Sequence, residues 1–498
     1  MQPSNHQLLK QLRKSTQQLA QEAARPEHKA LLEAMDVVLN ELLLRCDRDF
    51  FVDYYDRGRR LLMEGLELLG DQAGSLRADT VSLAVSLDPR FGTDTIGAQS
   101  VRLSDLLTQL IRMIGTRGEV RSEALLRRIT AWELSLLAHR LKRIPVDHAQ
   151  LNSLSVTIAR ESLETYLRRK KPEWKDLEVT HFQRIAGGFS KCTLLFDTLD
   201  TVNGSQSFAI RAEQPIHIMD LDGSDVSNEF WVVRKAFESG IPVAEPLWLE
   251  TDRQFLNTRF IVSRKAVGRN FGTAKGGESR LSLAATKDLA RVIARIHDIP
   301  LERDAHWVKA SHFGKWMDVG ATTRQNTLAR VDYWNRQCLA ANIFPSPCIT
   351  RALTWLAANV PDYDEPPVFL HGDFGPHNVL LDGDRVSAAL DWEISTPGDP
   401  AYDVAWFLNC AGVAVDREEF LAAYRDADGK TLSEYRLRYY DVFVSMMMPA
   451  TCNASLRLVE EQDAANINIA LYGLQFMHEY PSRLEAAIAN AEAVTHLQ

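Results

Sequence analysis

The stretch FLHGDFGPHNVLLDGDRVSAALDWEIS, Phe369 to Ser395, sets ionisable and amide side chains among some of the most apolar residues of the chain. VLL and VSAAL flank Asp382-Gly383, a strong short-range hairpin signal. A hairpin there folds the chain back, so Asp391, at the end of the return strand, lies beside the loop from Asp373 to Asn378. Asn378 and Asp391 then offer hard oxygen ligands for Mg2+, an ion that takes few protein ligands and completes its shell with water and phosphate oxygens. Asp373 is left without a metal role and is placed to accept a proton from a hydroxyl. Acidic groups in an apolar segment make sense where a metal ion and phosphates neutralise them. Solvated turn acids, the plain alternative, leave Asn378 and LDWE unexplained.

The spacing His371-x-Asp373-x4-Asn378, followed by Asp391, is that of a kinase catalytic loop and its metal-binding Asp. HGDFGPHN, ALDWEIS and GDPAYDVAWF resemble the aminoglycoside phosphotransferase and choline kinase superfamily, in which His-Gly-Asp replaces His-Arg-Asp. The resemblance is strongest to the kinase-type domains associated with acyl-CoA dehydrogenases, where this run follows a Trp-rich segment such as RVDYWNRQCLAANIF and LTWLAANVP. It spans residues 150–490 and leaves the N-terminal part uncovered. The resemblance implies an α+β, bilobal protein-kinase-like fold, with a small antiparallel-sheet N-lobe and a helical C-lobe. It also implies ATP and Mg2+ as cofactors, Asp373 as the catalytic base, and Asn378 and Asp391 as the metal ligands. His371 and Asp403 brace the loop in this reading, and Glu393 is a candidate for either a second ion or a bracing role.

The strand-rich region can be read against that expectation. A kinase needs a Gly turn over the phosphates, and AGGFSK, with Gly187, Gly188 and Ser190, fits that place, although a plain hairpin turn looks the same. A cation on the next strands must meet the phosphates. FAIRAE puts Arg211 where most kinases have Lys, and its guanidinium forks onto phosphate oxygens. Glu229, in SNEFWVVRKAF, is placed to hold that cation from a helix. The nucleotide hinge follows RFIV, from Arg264 to Ala266. Its sequence, SRKAVGR, is basic where relatives often carry an acidic-aromatic pair. GTAKGG, Gly272 to Gly277, is not a Walker A loop, because no GK[ST] closes it, and it reads as a mobile linker. Trp406, Tyr435, Tyr439, Tyr440 and VSMMMP, Val444 to Pro449, are candidate walls of an acceptor site, with core the main alternative for each.

The remaining 150 residues at the N-terminus read as helix. Leu31, Met35, Val38 and Leu42 share one face, Leu125, Ile129, Trp132 and Leu136 another, and Leu103, Leu106, Leu107 and Leu110 a third. RIPVDHAQ, Arg143 to Gln150, is the plausible boundary. The expected organisation is therefore an all-α domain over 1–148, an N-lobe over 149–266 and a C-lobe over 267–498. The helical domain suits pairing with a second copy, binding another surface or capping the rest of the chain.

Composition narrows the function classes. The chain has 498 residues, 45% hydrophobic and 25% charged, as in a soluble globular protein. Its net charge of −9 argues against a general nucleic-acid binder. The six cysteines are scattered without a CxxC pair, which suits reduced thiols of a cytoplasmic protein. No signal peptide or membrane span is expected. The reading is an ATP- and Mg2+-dependent phosphotransferase acting on a hydroxyl of a small molecule, with a hydroxyacyl-CoA or other catabolic intermediate favoured. An antibiotic O-phosphotransferase is the alternative within the same class. An inactive kinase-like scaffold acting through the helical domain is the alternative from another class.

Overall fold

The computed structural model describes residues 5–22, 26–45, 47–85, 87, 93–115, 119–141, 158–185, 191–213, 225–273, 276–310, 317–340, 343–461, 473 and 481–495. They fall into two compact units. The first takes Met1–Ser153, Val331–Asn359 and Ser445–Ala493, and the second takes Leu154–Arg330, Val360–Val444 and Val494–Gln498. In chain order the N-terminal helices are α1 (Asn5–Glu22), α2 (Pro26–Arg45), α3 (Arg48–Leu69), α4 (Gly74–Asp79), α5 (Thr93–Ile114) and α6 (Val120–Leu141). Then come α7 (Arg160–Lys170), β1 (Glu178–Ile185), β2 (Lys191–Asp200), β3 (Gly204–Glu213), α8 (Val226–Glu238), β4 (Pro246–Glu250) and β5 (Phe260–Arg264). After β6 (Arg269–Asn270), β7 (Gly272–Thr273) and β8 (Gly276–Gly277) follow α9 (Leu283–His297), α10 (His306–Ala310), α11 (Thr323–Leu339) and α12 (Pro347–Ala358). The chain continues through β9 (Val368–Leu370), β10 (Val379–Asp382), β11 (Arg385–Ala389), β12 (Thr396–Gly398), α13 (Pro400–Ala411), α14 (Arg417–Asp426), α15 (Glu434–Glu461) and α16 (Pro481–Ala493).

The all-helical unit is built on the expected stripes of α5 and α6. Leu103, Leu106, Leu107 and Leu110 are fully buried, and Ile129 and Trp132 pack into the same core as Leu62 and Leu66 of α3. The Trp132 indole stacks on Tyr54 and donates to its carbonyl at 2.7 Å. The stripe expected on α2 is not the buried one. Met35 and Leu42 are 37% and 39% exposed, while Val37, Leu39 and Leu43 are buried. Apolar residues on more than one side of this helix left the sequence with two competing faces.

This unit is not confined to the first 148 residues, and the C-lobe does not own everything after 267. Helices α12 and α16 belong to the helical unit, and polar contacts show why. Glu133 of α6 is half-buried and accepts from Ser346 Oγ at 2.6 Å and from the Cys348 backbone N–H at 2.7 Å, at the start of α12. Arg351 of α12 is paired with both Glu123 of α6 and Glu485 of α16. A buried guanidinium needs such partners, so these helices are held as one group.

The second unit has the mixed architecture expected from the sequence. A five-stranded antiparallel sheet has the order β1-β2-β3-β5-β4. Strand alternation sends Phe208, Ile210 and Ala212 of β3 into a core with Leu194, Phe196, Phe260 and Val262. Arg211 therefore points to the opposite face, where α8 packs against β4 and β5 through Val226, Phe230 and Ile261. Beyond β5, β10 and β11 form the expected hairpin, with Asp382 opposite Arg385 and Gly383 at φ 59°. β6 joins its outer edge through β10, and β9 pairs with β12. GTAKGG is not a linker. Its described residues form the β7–β8 ribbon, and a Cβ at Gly272 would stand 2.3 Å from the Gly276 carbonyl oxygen and one at Gly277 2.2 Å from the Ala414 Cβ. The glycines are there for close approach, not for mobility.

Among the described residues no helix is long and apolar enough to cross a membrane. Cys192, Cys348, Cys410 and Cys452 are buried, and Cys338 is half-buried.

Candidate active site

The loop between β9 and β10 is held from below by one buried carboxylate. Asp403 of α13 accepts the His371 amide at 2.8 Å and the Gly372 amide at 2.9 Å, and lies 3.3 Å from His297 Nε2. Burial alone would raise this acid, yet the hydrogen bonds and the two histidines keep it below the ordinary carboxylate range. Gly372 has φ 89°, and a Cβ there would stand 2.5 Å from the Ile394 carbonyl oxygen. No larger side chain fits, which accounts for Gly between His371 and Asp373. The His371 ring is buried against Trp392, and burial pushes it down to about 4 despite Asp403 and Asp373. It is therefore neutral near pH 7, and its Nδ1 accepts the Asp373 amide at 3.2 Å. His371 and Asp403 brace the loop, as their positions suggest.

The top of the loop gathers the polar groups. Asn378 Nδ2 donates to Asp373 Oδ2 at 2.8 Å and to the Asp373 carbonyl at 3.1 Å. The Leu390 amide donates to the Asn378 carbonyl at 2.7 Å, so the hairpin return brings Asp391 alongside Asn378. Asp391 has φ 65°, a left-handed conformation uncommon for a residue with a side chain. Its carboxylate pairs with the Arg211 guanidinium. Arg211 Nε is also 2.7 Å from Glu229, and Nη2 is 3.6 Å from Glu393. Burial works against the Arg211 charge, but Asp391, Glu229 and Glu393 together raise it. Burial pushes Asp391 up to about 7 against the pull of Arg211, and Glu393, Glu229 and Asp373 add to the rise.

The structure thus brings Asp373, Asn378, Asp391, Arg211, Glu229 and Glu393 together. It does not bring the Arg264 side chain there. Arg264 pairs with Phe208 across the sheet and packs its guanidinium over that ring, on the face of β3 opposite Arg211. Ala266 lies just past β5 and is half-buried. Gly187, Gly188 and Ser190 lie outside the described residues. The candidate acceptor walls Trp406, Tyr435, Tyr439, Tyr440, Val444 and Met446 are all buried core.

Two charged residues escaped the sequence reading. Lys191, the last residue of AGGFSK, is fully buried with Nζ 3.0 Å from Glu393. His377 Nε2 is 3.2 Å from Asp373 Oδ1. Burial would lower this imidazole, but Asp373 raises it overall. Its position four residues after Asp373 was the available signal.

Among the described residues no group of three or more His, Cys, Asp and Glu encloses a metal ion by itself. The donor set nonetheless suits Mg2+, which needs only one or two protein oxygens beside phosphates. Asp373, Asp391, Glu229 and Glu393 outnumber the fixed cations Arg211 and Lys191 around one point. Asn378 spends its amide N–H on Asp373, and its carbonyl oxygen remains the donor atom.

A strand cation held by a helix Glu, a braced His-x-Asp loop and a returning Asp define the second unit as a bilobal kinase-like domain. Residues 224–439 match the phosphotransferase enzyme family. Acyl-CoA dehydrogenase family member 11 of Mus musculus is 30% identical over 253 residues, 49% of this chain and 30% of that protein. The chain therefore matches less than a third of that relative's length. Hygromycin-B 4-O-kinase of Escherichia coli is 38% identical over 60 residues, 12% of this chain and 18% of that protein. The solved structure of macrolide 2'-phosphotransferase MphH from Brachybacterium faecium is 18% identical, with a TM-score of 0.45, over 63% of this chain and 98% of that one.

Proposed function

We propose that the chain transfers the γ-phosphoryl group of ATP, with Mg2+, to a hydroxyl of a small molecule. The observation that carries the reading is the geometry at Asp373. Its carboxylate is held at one oxygen by Asn378 and stands on a loop whose backbone is clamped by Asp403, beside the Arg211–Asp391 pair. In this reading Asp373 orients the acceptor hydroxyl and takes its proton. Asn378 and Asp391 hold Mg2+, which neutralises phosphate charge when bound. Arg211, kept in place by Glu229, meets the phosphates. Positioning and charge neutralisation then supply most of the rate, as in phosphoryl transfer generally.

The family match and the relative named as a 4-O-kinase support a hydroxyl acceptor. The relative named as an acyl-CoA dehydrogenase family member favours a hydroxyacyl thioester or similar catabolic intermediate. The kinase of hygromycin B favours the antibiotic reading as the second choice. ADP release screened against hydroxyacyl-CoAs, small alcohols and aminoglycosides separates these, with Asp373→Asn as the control. If no acceptor raises ADP release over that control, the chain is not a phosphotransferase of this kind, and the scaffold reading replaces it.

A further inference from the structure

Metal binding and proton acceptance leave two residues of the loop unexplained, Gly375 and His377. Asp373 has one carboxylate oxygen on the Asn378 amide at 2.8 Å and the other 3.2 Å from His377 Nε2. The terminal torsion of a carboxylate is broad, so a single contact leaves the group free to swing about it. The imidazole 3.2 Å from the second oxygen, close but not aligned as a hydrogen bond, limits that swing from the other side. The His377 side chain is only 24% exposed, so the imidazole is seated and not a loose surface ring.

Gly375 supplies the independent observation. Its φ lies outside the left-handed region, so the turn itself does not demand glycine. A Cβ at this position would stand 2.9 Å from His377 Cε1 and 3.1 Å from His377 Nδ1, with Cys410 Cβ next at 3.4 Å. The imidazole is the group that a side chain at 375 would displace. The glycine makes room for the ring that touches Asp373.

We propose that His377 is a positioning residue that fixes the carboxylate plane of Asp373 toward the acceptor hydroxyl, and that Gly375 is glycine in order to seat it. This rests on the reading of Asp373 as the proton acceptor. The role asks of His377 only an N–H at Nε2. A misplacement of about 1 Å at such a group costs on the order of 100-fold in rate.

The test uses the full chain, with turnover read on the acceptor found by screening or, without one, as Mg-dependent ATP hydrolysis. His377→Ala should lower kcat roughly 10- to 100-fold and leave the Kd for Mg-ATP within about two-fold. His377→Gln, which returns an N–H donor, should recover most of that loss. Gly375→Ala should lose as much as His377→Ala although the imidazole is still present. The double variant should be no worse than His377→Ala alone, because the added methyl then has nothing to displace. The side-chain 15N resonance of His377, identified by its loss in His377→Gln, should shift in both Asp373→Asn and Gly375→Ala. If Asp373→Asn is inactive while His377→Ala stays within two-fold of wild type, the positioning role is wrong. If the Gly375→Ala and His377→Ala losses multiply in the double variant, the glycine serves the backbone and the seating argument is wrong. An Asp373→Asn chain that turns over normally overturns the base assignment, and this inference with it.

Discussion

Removing the negative charge of Asp391 should strengthen the metal-free fold and weaken Mg-dependent nucleotide binding, two effects of opposite sign from one substitution. In an Asp391→Asn chain Arg211 still has Glu229 at 2.7 Å and Glu393 at 3.6 Å, so the guanidinium stays paired. What disappears is a carboxylate that burial pushes up to about 7, with Glu393 and Glu229 adding to it against Arg211. The unfolded chain releases that proton near the ordinary value of about 4. Between about pH 4 and pH 7 the folded state binds more protons than the unfolded state, so this group's contribution to stability falls as pH rises. Above pH 7 the penalty is complete, at most about 4 kcal/mol at roughly 1.4 kcal/mol per pH unit. Solvent at the 28% exposed carboxylate makes it smaller. The melting temperature of Asp391→Asn in chelator should exceed that of wild type at pH 8, and the two should converge toward pH 4. Nucleotide titrations should show the affinity loss only when Mg2+ is present. A lower melting temperature at pH 8, or an equal affinity loss with and without Mg2+, would refute the reasoning and make Asp391 a structural partner of Arg211.

Asp373→Asn should lower turnover by roughly 10²- to 10⁴-fold, the range for losing a general base, with nucleotide affinity near wild type in a direct titration. Glu133→Ala should leave Ser346 Oγ and the Cys348 amide without their acceptor and cost about 1–3 kcal/mol, read as a lower urea midpoint at an unchanged slope. A chain shortened to begin near Val146 should lose solubility, because Arg351 loses Glu123 and the start of α12 loses Glu133. Light scattering and an activity assay check this, and a soluble monomer with normal turnover would show that the N-terminal helices are dispensable.

The centre of the site was legible because its geometry is local. The Asp382-Gly383 turn dictates the hairpin, and the hairpin dictates that Asp391 returns to Asn378. Arg211 and Glu229 were legible through the kinase pattern, which asks for a strand cation and a helix glutamate to hold it, and the two are paired at 2.7 Å. His377 and Lys191 were not, since a lone imidazole or ammonium in a loop carries no periodicity. The unit boundaries were hidden for another reason. Helices α11 and α15 run unbroken across the points where the chain passes from one unit to the other, at Arg330–Val331 and Val444–Ser445. No glycine marks those points, and the Pro449 that follows the second lies inside α15 without ending it. The acceptor walls stayed open between wall and core because an aromatic or Met stripe reads the same whether it lines a cavity or fills a core.

Arginine at position 211 has a consequence that lysine would not. Its Nε faces Glu229 and its Nη2 faces Asp391 and Glu393, so one planar group spans β3, α8 and the hairpin return. A lysine ammonium is a single point and could not hold Glu229 and Asp391 from two atoms with fixed spacing. Lys191 meanwhile neutralises Glu393 from the other side. In the proposed function a phosphate would draw Arg211 Nη2 away from Asp391, and Mg2+ would then give Asp391 a cation to face. Phosphate would face Arg211 and Mg2+ would face Asp391, so each would occupy the partner the other leaves. On that reading the two ligands would be coupled through one guanidinium, and each should tighten the binding of the other by the same factor, as linkage requires.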